Sequence, residues 1–159
     1  MDPLKDMGEL AGAAGGYWPT IEGTGLWRKR VIIGDDPAAG AEVALTVEKG
    51  RAWIVYAIRI PFVTDATVAT RVVGLRIDDG NSVYFEAPSG AGQAASLTMA
   101  HVFSTAGFNG NEAGVRSSGG LFVPCVLLRG HRILTVTTNI QAGDNFGRPV
   151  LYVDELMDR

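Results

Sequence analysis

A two-residue period in hydrophobicity is the feature that most limits what this chain can become. Trp53-Ile54-Val55-Tyr56-Ala57-Ile58-Arg59-Ile60-Pro61-Phe62 shows it most clearly: every even position is large and apolar, while the odd positions include Arg59 and Pro61. Side chains alternate across a strand, so the pattern predicts one face in a core and the other at least partly exposed. Pro61 has no amide hydrogen and belongs at an edge, a bulge or a strand end. Residues 71–78 repeat the theme, with Val73, Leu75 and Ile77 on one face and Arg76 and Asp78 on the other. The turn Asp79-Gly80-Asn81 then leads into residues 82–87, where Val83 and Phe85 share a face, which reads as a β-hairpin.

Further strands are expected at 94–103, 121–128, 132–140 and 149–156, with weaker ones at 28–33 and 42–47. In 94–103 the alternating set is Ala95, Leu97, Met99, His101 and Phe103, and the glycine-rich flanks oppose a helix. The expectation is an all-β chain, an antiparallel β-sandwich of about eight to nine strands occupying residues 28–159. At 159 residues the chain suits one domain.

Two stretches break the rhythm. Residues 104–120 carry Gly107, Gly110, Gly114, Gly119 and Gly120 together with Phe108 and Arg116, and read as a long loop of the kind that carries function. Residues 1–27 read as an extended N-terminal arm. Their Gly-Ala centre cannot build a core, yet Tyr17, Trp18, Ile21, Leu26 and Trp27 are large apolar groups that a solvated tail would not carry. Two readings fit the arm: it docks on a neighbouring molecule, or it covers the end of its own domain. The expected partner-binding residues are Tyr17, Trp18, Ile21, Leu26 and Trp27 of the arm and Phe108 and Arg116 of the loop.

Catalytic chemistry needs a nucleophile, an acid or base, or a metal held by other residues, and the inventory is thin. His101 shares parity with apolar neighbours and reads as a core or boundary residue, while His131 sits in the turn Arg129-Gly130-His131. Cys125 lies in an apolar run and reads as a small buried hydrophobe. Asp78-Asp79-Gly80-Asn81 offers only part of a calcium loop, and the glycine-rich 107–120 lacks the Lys-Ser/Thr ending of a phosphate loop. The expectation is no enzyme, no cofactor and no metal. A net charge of −3, with Arg28-Lys29-Arg30 as the only basic cluster, opposes nucleic-acid binding and suits a solvated or partner-facing edge. No apolar run is long enough to span a bilayer, and Met1-Asp2-Pro3-Leu4-Lys5-Asp6 lacks a secretory pattern, so no membrane is expected as a partner.

A resemblance adds to this reading. Gly50-Arg51-Ala52-Trp53, then the connection from Phe62-Val63-Thr64-Asp65 to Arg71, then Gln93-Ala94-Ala95-Ser96-Leu97-Thr98, Gly130-His131-Arg132-Ile133, Asp144-Asn145 and the closing Tyr152-Val153-Asp154-Glu155-Leu156 resemble the jelly-roll structural proteins of tailed-bacteriophage virions, of the capsid decoration or cement type. Ala69-Thr70 stands where such proteins often have Gly-Asn. The resemblance implies a jelly-roll-like sandwich and a non-catalytic virion component, assembled in the host cytoplasm as a trimer or other homo-oligomer. Its partners would be the major capsid protein or other virion proteins. Neck or tail structural proteins and carbohydrate-binding modules remain the alternatives, the last using Trp53, Tyr84 or Phe108 against sugar faces. With 11 Arg against 3 Lys, the chain is equipped for planar, multidentate interface contacts.

Overall fold

The computed structural model describes residues 27–106, 114–121 and 125–157, with the side chains of Cys125 and Met157 outside the description. These residues form strands and turns without a helix. The strands are β1 (Arg28–Ile33), β2 (Ala44–Thr46), β3 (Arg51–Val63), β4 (Val72–Asp78), β5 (Val83–Pro88), β6 (Thr98–Ser104), β7 (Arg116–Gly120), β8 (Cys125–Leu127), β9 (Arg132–Thr138), β10 (Asn145–Phe146) and β11 (Val150–Met157).

Four antiparallel pairings define the architecture: β1 with β11, β2 with β9, β3 with β6, and β4 with β5. The chain is thus one long ribbon folded back on itself near β4–β5, with its first and last strands paired at the other end. Winding that ribbon brings β11 beside β3 and β9 beside β4, which splits it into two sheets ordered β1-β11-β3-β6-β7 and β2-β9-β4-β5. This is a jelly-roll-like sandwich, and β7, β8 and β10 are additions to it.

The core fills the space between the sheets. Val55, Ile58, Ile60, Phe62, Phe103, Leu151 and Val153 come from the larger sheet and Val73, Leu75, Ile77 and Ile133 from the smaller, all buried. Phe62 stacks on Phe146 with ring centroids 4.1 Å apart, so the short β10 is anchored by an aromatic pair.

β3 departs from the strict alternation expected of it. Ile58, Ile60 and Phe62 are buried as the even parity predicts, but Trp53 and Val55 are buried in the first half while Ile54 and Tyr56 are only half-buried. A β-bulge explains the switch. Ala57 lies opposite Tyr152 and Val55 opposite Val153, leaving Tyr56 as the extra residue. A second bulge corrects the expected hairpin face. Ile77 pairs with Phe85 and Asp78 with Val83, so Tyr84 is the extra residue, and Val83 is exposed instead of joining Phe85 against the core. Asp78, expected on the exposed face, is buried, where its carboxylate accepts from Arg132 Nε at 2.6 Å.

The glycine-rich stretch expected as one long loop contains β7, which runs parallel to β6. Ser and Gly are poor strand formers, so this strand is made by its surroundings. The buried Ser117 hydroxyl accepts from the Ala91 N–H, and Gly119 lies where a Cβ would come within 2.6 Å of the Phe103 ring. Of the strand expected at 121–128, Cys125–Leu127 form β8 and residues 122–124 lie outside the described residues, while the strand expected from Ala94 begins only at Thr98. Ser96, with φ of 58°, turns the chain just before it.

Candidate functional site

Of the expected partner-binding residues, Tyr17, Trp18, Ile21, Leu26 and Phe108 lie outside the described residues. Trp27 and Arg116 are described, and the fold separates them. Trp27 immediately precedes β1 and is 38% exposed, whereas Arg116 opens β7, half-buried. Among the described residues β1 and β7 are opposite edges of the larger sheet, four strand spacings or ~19 Å apart. They do not form one site. Trp53, considered for sugar stacking, is buried and donates from Nε1 to Glu155 Oε1 at 3.3 Å.

One surface group that the structure assembles is the outer face of the larger sheet where β1, β11 and β3 adjoin. Lys29 Nζ lies 3.2 Å from Asp154 Oδ1, and the Tyr56 hydroxyl donates to Asp154 Oδ2 at 2.7 Å. The same ammonium sits 5.1 Å from the Tyr56 ring centroid and 5.7 Å from that of Tyr152, a cation–π arrangement on two tilted rings. The bulge is what supplies Tyr56 to this cluster, by flipping it away from the core. The hydrogen bond from Tyr56, followed by the ammonium of Lys29, holds the Asp154 carboxyl below its usual range, and Asp154 in turn raises Lys29 and Tyr56. Beside the cluster, Val31 and Ile33 of β1 are 62% and 57% exposed, with Tyr152 opposite Val31. The alternation within Arg28–Ile33 was a signal that could have found this face, since its odd positions read Lys, Val, Ile.

The ionisable groups of the interior are tied up structurally. Arg71, fully buried, spends all five N–H groups: Nε and Nη2 on Asp144 at 2.9 and 3.0 Å, Nη2 also on Asp65 at 2.6 Å, and Nη1 on the Thr67 and Ala69 carbonyls. Asp144 also accepts from the backbone N–H groups of Asp65 and Gln141 at 2.9 and 2.8 Å. Burial pushes the Asp144 carboxyl up, but the Arg71 guanidinium and these two amides outweigh it and hold it below its usual range. Glu155 is a second such anchor, where burial is outweighed by Arg51, Trp53 and Arg30. These clusters pin the 64–71 connection to the 141–144 turn, and β1 to β11 and β3.

His101 is buried, as its parity predicted. Gln93 donates from Nε2 to the Phe62 and Leu97 carbonyls, so its Oε1 faces His101 as an acceptor. That makes His101 Nε2 the protonated nitrogen and leaves Nδ1 to accept from the Ser89 hydroxyl at 3.0 Å. Burial pushes the imidazole down to about 4, so it is neutral near pH 7. Among the described residues no buried side-chain nitrogen or oxygen lacks a hydrogen-bond partner, and no group of three or more His, Cys, Asp or Glu side chains could hold a metal ion.

No family model matches the chain, and no curated protein does. Among solved structures, one match is a chain titled "Structure of infectious bursal disease virus Gx strain", at 12% identity and a TM-score of 0.22. It covers 82% of this chain, which spans under half (42%) of the viral chain's length. A TM-score of that size carries no weight for fold or role.

Proposed function

We propose that the chain is a non-catalytic structural protein of a virion, and within that class a capsid decoration protein seated on the lattice of the major capsid protein. The observation that carries this reading is the outer face of the larger sheet. Val31, Ile33 and Tyr152 expose apolar surface around the Lys29–Asp154 pair, the composition of a protein-contacting surface rather than of a solvated one. The wound-ribbon architecture supports it at the level of fold, since jelly rolls serve in viral capsids as well as in lectins. The chemistry of the interior is in keeping, because Arg71, Asp144, Glu155 and His101 are each occupied in holding strands and turns together.

The resemblance quoted above narrows the class to bacteriophage decoration proteins acting as homo-oligomers. Quantitative mass spectrometry of purified virions tests the proposal. A copy number comparable with that of the major capsid protein supports a decoration role. A copy number matching a single ring replaces it with a neck role, and absence from virions overturns the proposal.

A further inference from the structure

β1 is an edge strand. Among the described residues it pairs only with β11, and its other edge is open. The register fixes which backbone groups that edge presents. Gly34 N–H donates to the Pro149 carbonyl at 2.9 Å, and Gly34 and Pro149 lie directly opposite, one step beyond the Ile33–Val150 pair. Hydrogen-bonded and non-hydrogen-bonded pairs alternate along an antiparallel ladder. Arg28, Arg30 and Ile32 therefore bond to β11, while the N–H and C=O groups of Lys29, Val31 and Ile33 point outward.

Open edges are commonly blunted by charge, and Arg28-Lys29-Arg30 would serve that purpose at one end. The other end is of opposite sign: Ile33 is followed by Gly34, Asp35 and Asp36, and both aspartates are exposed. The strand is thus basic at its start, apolar in its middle and acidic just past its end. A parallel copy would set like charges together; an antiparallel copy would set them against their opposites.

We propose that a second copy of this chain pairs on the open edge of β1, antiparallel and about a two-fold axis at Ile32. With Ile32 opposite itself, Val31 faces Ile33 of the second copy, Lys29 faces Asp35 and Arg28 faces Asp36. Backbone parity permits this register, and charge pairing favours it. Outward-pointing odd positions of β1 must meet odd positions, and Val31–Ile33 does so, with the exposed Asp35 just past the strand's end brought to Lys29. The same register brings Arg28 at the start of β1 to the exposed Asp36 just past its end. Shifting the axis to Val31 also satisfies the backbone but sets Arg28 against Gly34 and Trp27 against Asp35, losing both ion pairs. In the favoured register the two Val31–Ile33 pairs supply about four backbone hydrogen bonds within β1, and the flanking charge pairs add to them. The two larger sheets become one, and the exposed Val31 and Ile33 of each copy gain apolar neighbours on the shared outer face.

This pairing does not depend on the virion proposal. The test is light scattering on the full chain across a concentration series, with far-UV circular dichroism to check folding. The expected result is a mass of twice 16.8 kDa at high protein concentration. Val31→Pro removes an outward N–H without touching a β1–β11 bond, and should abolish dimerisation while leaving the spectrum unchanged. Arg28→Glu and Asp36→Arg should each weaken the dimer roughly tenfold, and the double variant should restore it. A wild-type chain that stays monomeric, which is the outcome if residues 1–26 occupy the edge, overturns the proposal. So does a dimer indifferent to Val31→Pro. Failure of the double variant to restore pairing overturns the register.

Discussion

Replacing Asp144 with Asn keeps the shape of the side chain and removes its charge, and the surroundings of Asp144 set the size of the effect. The carboxylate accepts four hydrogen bonds, two from Arg71 and one each from the backbone N–H groups of Asp65 and Gln141. Oδ1 receives Arg71 Nη2 and Asp65 N, and Oδ2 receives Arg71 Nε and Gln141 N, so an amide nitrogen in either position meets two donors. Breaking a buried ion pair by removing one partner costs about 3–5 kcal/mol. Arg71 keeps Asp65 at 2.6 Å and two carbonyls, which places the loss at the lower end, about 3 kcal/mol. With a urea slope of about 2 kcal/mol per molar for a chain of this length, the unfolding midpoint should fall by about 1.5 M. The folded carboxyl lies below its ordinary value of 3.8, so its contribution is complete above that value and is lost as pH falls through the folded pKa. The deficit of Asp144→Asn relative to wild type should therefore be full at pH 7 and shrink in acid below pH 4. A midpoint shift under about 0.5 M at pH 7 would refute the account of Asp144 as a structural anchor.

Two further outcomes are expected. His101 has a folded pKa of about 4 against 6.5 unfolded, so the unfolded chain binds one more proton between those values. Stability should fall by about 3 kcal/mol from pH 7 to pH 4 on this account, and the His101 ring signals in NMR should show no titration above pH 5; a midpoint near 6.5 contradicts the buried neutral ring. Gly119→Ala should drive a methyl into the Phe103 ring and cost about 1–3 kcal/mol, read as faster amide exchange across β6–β7. Unchanged exchange would mean that β7 does not depend on that close approach.

Much of the fold was legible because most strands obey a two-residue period. β1 was expected over the residues it occupies, and Val73, Leu75, Ile77, Met99, His101 and Phe103 were all placed on buried faces. What escaped has physical reasons. A bulge adds one residue and leaves no compositional mark, so Tyr56 and Tyr84 each reversed a parity that looked continuous. β7 is held by the Ser117 hydroxyl and by the room that Gly119 leaves for Phe103, neither of which local propensity reports. The Arg71–Asp144 pair joins residues 73 positions apart, beyond any spacing rule. The candidate site was read from the aromatic residues of the arm and loop, while the outer sheet face took shape only when the winding brought β1, β11 and β3 side by side.

The wound ribbon also implies an order of events in folding. Its β4–β5 end closes across the short turn after Asp78, whereas the Lys29–Asp154 contact joins residues 125 apart in the chain. Closing that span directly would cost about 3 kcal/mol more in chain entropy than closing the hairpin. Zipping outward from the hairpin avoids most of that cost, because each new pair then closes only a short additional loop. β1 is consequently the last strand to dock, and its outward edge takes its final form only in a completed molecule. A partner that recognises that edge would therefore be inspecting the whole chain, accepting finished subunits and passing over partly folded ones. Pulse-labelled hydrogen exchange should show Ile77 and Phe85 amides protected before those of Arg30 and Ile32; simultaneous protection would overturn this order.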